Sequence, residues 1–366
     1  MTAPFLVAGA GPVGLTAALE LARRGMPVRI VEKERQRETF SRALAVNPRS
    51  LELLEASGVS QRLIAEGQRI KRFRIVGQHR VLVKIKLKPL ESRYNFLLGL
   101  PQSRTEAILE QALAERGVTV ERGVEVRGVV GGAEGYRVLL KRDGLDDDLQ
   151  AQCVLAADGS HSTLRKTLDI GFPGTRSPQT FHMIDAKLDW RFPHDEVFVL
   201  MRGRRPLAVI PLPEAGCYRL IGIEEKPAER LPPGARIERV DWESTFQISY
   251  RLADRFSLGN VHLAGDAAHI HSPIGARGMN LGIEDACVFA SLAAKGELAR
   301  YAGLRRPVAA SVLRLTSNFT RLIATQRPLV RFLRDTAGFN LLHIHALRRR
   351  ALHGVAGLDH PNPVRD

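Results

Sequence analysis

No run of apolar residues in this chain approaches the roughly 20 that a membrane-spanning helix needs, so stable membrane insertion is not expected. Cysteine is nearly missing: in 366 residues only Cys153, Cys217 and Cys287 carry thiols, with no paired spacing and mainly apolar neighbours. That excludes a disulfide framework and a cysteine metal cage, and it suits buried free thiols in a reducing cytosol. The opening Met-Thr-Ala-Pro-Phe-Leu-Val-Ala-Gly has neither a basic n-region nor a long apolar core. No secretory leader is expected, and a cytoplasmic location is. His269 and His271 meet no third ligand at metal spacing, so no metal is expected. Internal repeats and low-complexity segments are absent as well.

Acidic residues are in deficit. The 54 Lys and Arg against 39 Asp and Glu leave a net charge of +15. The basic residues are scattered apart from short clusters at Arg202–Arg205, Arg305-Arg306 and Arg348–Arg350, and no zinc finger, RNP motif or basic-region helix is present. We read a solvated basic surface that favours anionic cofactors and substrates, with no nucleic-acid partner. The stretch Leu322–Arg350 is basic and partly amphipathic through Leu329, Phe332, Leu333, Phe339, Leu341, Leu342 and Ile344. Such a pattern describes a helix packed on its own domain or one lying on a membrane surface, and the first is preferred.

What is present is ordinary in bulk and specific in detail. Apolar content of 44% and charged content of 25% are those of a globular protein, and the length suits two joined domains. Phe5–Gly9 reads as a buried strand entering a Gly-rich turn, Leu15–Arg24 as a helix stopped at Gly25, and Val28–Glu32 as a second strand. Together they make a βαβ unit of about 30 residues. A helical pattern over 48–64 follows, then strand alternation over 70–99, a helix over Thr105–Arg116 capped by Thr105, and a strand at 118–120. Hairpin-like stretches run to Lys141, a polar turn covers Asp143–Asp148, and Cys153–Ala157 is another buried strand. From about Phe172 to Arg255 β-branched and aromatic residues predict antiparallel sheet, with strands at Val197–Met201, Leu207–Ile210 and Tyr218–Ile223. Val261–Ala264 returns to the α/β style, and the chain reads as helical from Leu281 to about Arg350.

The glycines at 9, 11 and 14 fill all three positions of G-x-G-x-x-G. Gly9 permits the tight turn, Gly11 lets a phosphate approach the backbone, and Gly14 allows close helix–strand packing. The helix beginning near Pro12 and Val13 points free N–H groups and its positive end at a pyrophosphate. Glu32 closes the second strand where an acid would hold ribose hydroxyls and disfavour a 2′-phosphate, and Lys33 beside it is counted in the same site. A dinucleotide is therefore expected here.

Two further stretches stand far along the chain: Cys153–Arg165 (CVLAADGSHSTLR) and Val261–Ala286 (VHLAGDAAHIHSPIGARGMNLGIEDA). With Gly9–Gly14 they resemble the group A flavin-dependent monooxygenases, the family of para-hydroxybenzoate hydroxylase, over essentially the whole chain. The resemblance implies an α/β fold: a Rossmann-like FAD-binding domain of the GR2 type, interrupted by an antiparallel β-sheet substrate domain, with C-terminal helices. The expected division is 1–171 and 256–350 for the FAD-binding domain with a small β insertion near 70–100, 172–255 for the substrate domain, and 351–366 as a tail. Asp266, after Gly265 and between a strand and a helix, can accept from a ribityl hydroxyl. The helix following Gly278 would stabilise charge at the flavin's pyrimidine edge through the N–H groups of Met279 and Asn280. The backbone of Pro273, Ile274 and Gly275 would border the oxygen-reacting face. Asp158 and Gly159 would help to hold the flavin and the visiting NAD(P)H, with Arg165 in their polar group or else on a helix surface. Arg42 and Gln102 match positions that touch the flavin, and Arg104 is a weaker phosphate contact.

The implied activity consumes NADPH or NADH as a transient reductant and O2, and it hydroxylates an aromatic or heteroaromatic small molecule through a flavin hydroperoxide. His182 could serve as a base for a phenol or be a satisfied core or surface histidine. Met201, Ile210 and Pro211 are expected in the substrate wall. The arginine clamp and tyrosine pair of the prototype are not found over 195–222, so para-hydroxybenzoate is not the expected substrate. Nor is the extra C-terminal thioredoxin-like domain of larger polyketide hydroxylases. A monomer or homodimer is expected. The alternatives are another FAD oxidoreductase, as a halogenase or reductase, or a non-catalytic FAD-binding protein. The halogenase pattern W-x-W-x-I-P is missing, since Trp190 and Trp242 stand alone.

Overall fold

The computed structural model describes residues 3–41, 43–77, 80–132, 135–201, 206–223, 227–273, 275–325, 327, 329–330, 334, 341, 344–362 and 364. Arg42, Ile274, the cluster over 202–205, and Phe332, Leu333, Phe339 and Leu342 lie outside the described residues.

A six-stranded sheet runs in the order β18 (Ser257–Leu258), β19 (Val261–Leu263), β12 (Cys153–Ala156), β1 (Phe5–Ala8), β2 (Val28–Glu32), β8 (Val120–Arg122). Its strands are parallel except for the β18–β19 hairpin. The central strands FLVA, CVLA and VHL are buried throughout, as expected for parallel strands covered on both faces. The covering helices include α1 (Pro12–Arg23), α4 (Gln102–Ala114) and α6 (Gly278–Lys295). Strands β1, β12 and β19 are neighbours, so Gly9, Asp158 and Gly265 follow the carboxyl ends of three adjacent strands. Ligands of open α/β sheets bind at that edge.

The second large sheet has eight strands, in the order β20 (His269–Ile270), β17 (Arg236–Leu252), β13 (Gly174–Asp189), β16 (Cys217–Gly222), β15 (Leu207–Pro211), β14 (Glu196–Leu200), β5 (Arg72–Val76), β6 (Val81–Lys86). All pairs are antiparallel except β14 with β5. The β5–β6 hairpin, expected as an insertion in the first domain, therefore extends this sheet. Two three-stranded sheets complete the strands: β9 (Val124–Gly132) with β10 (Gly135–Arg142) and β11 (Leu145–Ala151), and β3 (Ala45–Val46) with β7 (Leu97–Gly99) and β4 (Gln68–Ile70).

Several boundaries differ from the sequence expectation for local reasons. The single helix over 48–64 is two, α2 (Pro48–Leu53) and α3 (Val59–Glu66), separated by Gly58 at φ +79°. Helix α4 starts at Gln102 behind Pro101, and Thr105 lies inside it, its hydroxyl donating back to the Pro101 carbonyl at 3.4 Å. Only Asp143-Gly144 turns; the acidic residues after it form exposed β11. Short helix α5 (Thr163–Thr167) follows β12. At the C-terminal end come α7 (Tyr301–Ala324) and α8 (His345–Ala356), so the expected tail begins as helix. Leu352 and Ala356 of α8 join a buried cluster with Ile70, Leu97, Val197 and Met201. Among the described residues no helix is long and apolar enough to cross a membrane.

Candidate active site

The first turn depends on glycine at two places. Gly9 has φ +100°, and a Cβ there would lie 2.4 Å from the Ala157 carbonyl oxygen; at Gly14 it would lie 1.9 Å from that of Gly9. These contacts press α1 onto β1 and β1's turn onto that of β12. Gly11 differs: nothing lies within 4 Å of a Cβ built there, although it caps α1. The helix starts with Pro12, has no acidic residue in its first turn and no side-chain cap, so its positive end is open. Both oxygens of Glu32 brace the turn, Oε2 accepting from Ala10 N at 2.8 Å and Oε1 from Glu34 N at 3.0 Å. Lys33 is exposed, 3.5 Å from the Glu34 carboxylate.

A cavity of about 430 Å³ starts at this turn. It runs past Gly11, Pro12, Val13, Ala43–Ala45, Gln102, Ala157, Gly159 and Asp266 to His269–His271, Pro273, Ala276, Gly278 and Met279. Its far wall is the eight-stranded sheet, through Ile210, Ile221 and the run Phe246–Ser249. Adjacent residues of a regular strand face opposite sides. Here β13 is out of register with β17 between Arg176 and Thr180, opposite Ser249 and Gln247, and the irregular stretch lines the cavity with four residues in succession.

Asp266 lines this space, and among the described residues its carboxylate has no hydrogen-bond partner. Desolvation raises its pKa, against a smaller opposing pull from His269. Asp158 is placed differently: Oδ2 caps α5 by accepting from Thr163 N at 2.8 Å and Leu164 N at 3.3 Å, while buried Oδ1 has no partner. Burial raises its pKa, although a bond from Ser162 opposes this. Arg165 is buried, donating to the Ala267 carbonyl at 2.9 Å and the Ser160 carbonyl at 3.0 Å, so it ties the second turn to the third. Arg104 pairs with Glu66 at the surface.

Gln102 reaches the cavity from the first residue of α4, and its amide donates to Glu106 Oε1 at 2.8 Å. Burial raises the Glu106 pKa against that bond. Asn280 holds the loop instead of facing the cavity: its amide donates to Ala45 O and Ala276 O, and Oδ1 accepts from Asn47 N. Of the expected wall residues, only Ile210 lines the cavity. His182 sits mid-strand between Gly222 and Thr245, Met201 packs under α8, and Pro211 ends β15 beside Gly99. Gly9, Gly14, Gly265 and Gly275 shape the turns without lining the space.

Sequence reasoning missed Asp285 and Arg305. Asp285 Oδ2 accepts from Gly265 N at 3.1 Å and lies 2.6 Å from His269 Nε2, while Oδ1 accepts from Arg305 Nε at 2.7 Å. The signal was available as two adjacent acids, Glu284-Asp285, within an otherwise apolar helix.

The residues fit a flavin dinucleotide: an open cradle at Gly11 beside a bare helix N-terminus, an unpartnered carboxylate at Asp266, and one cavity joining them. A model of the FAD binding domain family matches residues 2–235 and 232–316. The 6-methylpretetramide 4-monooxygenase of Streptomyces rimosus is 32% identical over 96% of this chain and 69% of its own length. The chain belongs to the FAD-dependent aromatic monooxygenases. Anhydrotetracycline monooxygenase of the same organism is 32% identical, over 98% of this monooxygenase and 77% of its own length. A solved structure, the OxyS anhydrotetracycline hydroxylase from Streptomyces rimosus, superposes with a TM-score of 0.80 at 29% identity, covering 99% of this monooxygenase and 77% of that chain. The p-nitrophenol 4-monooxygenase from Pseudomonas putida shares the fold, with a TM-score of 0.86 at 23% identity over 98% of each chain. The α/β fold with Rossmann-like FAD region, interposed sheet and C-terminal helices is thus that of the family.

Proposed function

We propose that this monooxygenase hydroxylates a flat, largely apolar aromatic or heteroaromatic molecule seated against Ile210, Ile221, Phe246 and Ile248, with Gln247 and Ser249 as its polar contacts. One observation carries the reading: the cavity that starts at the Gly-rich turn ends on that wall without interruption. A mostly apolar pocket with a few polar groups is what recognises such a ligand. The names of the relatives, which act on tetracycline-type polycyclic aromatics, support the same substrate class.

Bound FAD supplies the redox and oxygen-transfer chemistry, with O2 as co-substrate and NADH or NADPH as transient reductant. This chain supplies position and field. In our reading Gly9–Gly14 and the start of α1 hold the pyrophosphate, and Glu32 with Lys33 the adenosine end. Arg42, Gln102, Asp158, Gly159, Gly265 and Asp266 hold the flavin and its side chain. Gly278, Met279 and Asn280 present N–H groups to the pyrimidine edge, and the backbone of Pro273 and Gly275 borders the reacting face. We assign 1–171 and 256–350 to the cofactor and 172–255, with the β5–β6 hairpin, to the substrate. We further propose that the enzyme works in the cytoplasm as a monomer or homodimer, in keeping with three buried free cysteines.

The test is to purify the protein, record its flavin spectrum, and follow NADH and NADPH oxidation with a panel of mono- and polycyclic phenols under 18O2. Substrate-stimulated oxidation with label in the product is expected. A colourless protein that cannot be reconstituted, or oxidation that yields only peroxide with every substrate, would overturn the reading. Asp266→Ala should weaken FAD binding by roughly 10- to 100-fold, the value of a charge-assisted hydrogen bond. Apoprotein stability should not change, since the carboxylate has no protein partner to lose. Flavin titration of the apoprotein measures both.

A further inference from the structure

The segment from Gly354 to His360 is anchored as a structural part of the cofactor region. A continuous chain of buried contacts leaves the Gly265 turn through Asp285 to Arg305, whose Nη1 donates to Glu284 Oε1 at 2.6 Å. Glu284 Oε1 lies 2.7 Å from His360 Nε2, and His360 Nδ1 lies 3.1 Å from Asp359 Oδ1. The same Asp359 oxygen pairs with Arg277 Nη2 at 3.0 Å, while Arg277 Nη1 donates to the Gly354 carbonyl at 2.6 Å. Arg277 is the residue before α6 and lies between Ala276 and Gly278, both on the cavity wall. The chain thus leaves one cavity-facing turn and returns to another through the C-terminal segment. Arg49 holds that segment from α2, donating to the carbonyls of Gly357 at 3.1 Å and His360 at 2.9 Å.

The loop needs such a hold. Ala276 has φ +55°, a left-handed conformation that a residue with a Cβ adopts only where its surroundings impose it. Arg277 is 3% exposed and its pairing is intramolecular on every side that bonds, so the guanidinium acts as a buried anchor and not as a surface charge. Asp359 is partly exposed, so the pair joins a buried guanidinium to a carboxylate at the edge, and leaving Arg277 without that carboxylate costs more than breaking a pair exposed on both sides.

We propose that Asp359 and His360 are positioning residues for the cofactor-facing loop Ala276–Met279, acting through Arg277 and Glu284. This rests on the reading that the loop borders the flavin. Burial opposes charge on the His360 imidazole, but its bonds to Asp359 and Glu284 outweigh that and raise its pKa. The groups facing it are Glu284 of α6, Asp359 of its own segment, Arg305 of α7 across Glu284, and Arg277 and Arg49, which bond the segment. A raised folded pKa means that the contribution is full at low pH and is lost as pH rises through it.

The experiment titrates FAD into apoprotein and records peroxide released per NAD(P)H oxidised, for wild type, Asp359→Asn, Arg277→Gln, the double variant and His360→Asn. Each single variant should bind FAD about tenfold more weakly, and the double no more weakly than the worse single, because both remove one interaction. Wild-type affinity should fall as pH rises above the ordinary imidazole range, and His360→Asn should flatten that dependence. Wild-type FAD affinity in Asp359→Asn and Arg277→Gln, additive losses in the double, or lowered melting temperatures with unchanged affinity would each overturn the proposal. If Asp359→Asn fails to fold, His360→Asn and Arg277→Lys decide: altered pH dependence in the first and partial retention of affinity in the second support it, and their absence overturns it. Failure of the wild-type chain to take up FAD would instead overturn the functional reading itself.

Discussion

Gly11→Val gives an apoprotein that folds normally and does not take up FAD. The backbone at Gly11 has φ −72° and ψ −177°, which any residue adopts, and a Cβ there meets nothing within 4 Å. Folding should therefore change by no more than about 0.5 kcal/mol, as for a surface substitution. The added isopropyl group stands over the bare N-terminus of α1, in the space where a phosphate must approach the amides. We expect FAD affinity to fall at least about 100-fold, or ~2.7 kcal/mol. The neighbouring glycines give the contrast. Gly14→Ala would put a methyl group 1.9 Å from the Gly9 carbonyl oxygen, and Gly9→Ala one 2.4 Å from that of Ala157, so both should lose the fold along with the flavin. Thermal melts of the apoprotein and flavin absorbance after reconstitution and gel filtration separate the two outcomes. A Gly11→Val holoenzyme with full flavin would show that the turn does not lie under the pyrophosphate.

That separation explains which parts of the site were legible in the sequence. The turns at Gly9–Gly14, Asp158-Gly159 and Gly265-Asp266 are local: each needs particular small or acidic residues at fixed offsets after an apolar strand. Parallel pairing of β12 with β1 and of β19 with β12 then brings them to one edge, an assembly that the βαβ pattern foreshadows. The substrate wall carries no such signal. It is built from single residues of β15 and β16 and from four in succession on β17. The long run of β17 mixes exposed and half-buried positions and loses register with β13 beside the cavity and twice more beyond it, so it shows no clean alternation. His182 belongs to β13 and Met201 follows the end of β14, neither of which contributes a residue to the lining, and β15 presents Ile210 to the space rather than Pro211. The C-terminal segment was harder still. Its role comes from three side chains, Arg49, Arg277 and Glu284, that reach it from more than 70 residues away.

Arg305→Met should be among the most destabilising single substitutions in the molecule, although Arg305 touches neither cavity nor surface. Its guanidinium is fully buried between Asp285, at 2.7 Å, and Glu284, at 2.6 Å. Methionine fills much of the same volume, so the loss is electrostatic: the two buried carboxylates lose their guanidinium and keep His269, His360 and the Gly265 amide. Removing one partner from such a cluster costs about 3–5 kcal/mol, which in a chain of this length lowers the melting temperature by roughly 4–7 °C. The pH dependence identifies the cause. Burial is the largest single influence and works against both carboxylates, yet Arg305 together with His360 at Glu284 and His269 at Asp285 outweighs it and holds both pKa values below the ordinary range. In wild type their contribution is therefore complete above the unfolded carboxylate pKa and is lost as pH falls through the depressed folded values. Without Arg305 burial dominates, the folded pKa values rise, and acidification relieves the buried charge. The gap between wild type and variant should therefore be wide at pH 8 and narrow at pH 5, and Glu284→Gln should recover part of it at pH 8. Melts at one scan rate across that range check this, and a pH-independent gap would place the cost in packing. Because Asp285 also accepts from the Gly265 amide, the same variant should loosen the turn that carries Asp266, so FAD should protect it less against heat than it protects wild type.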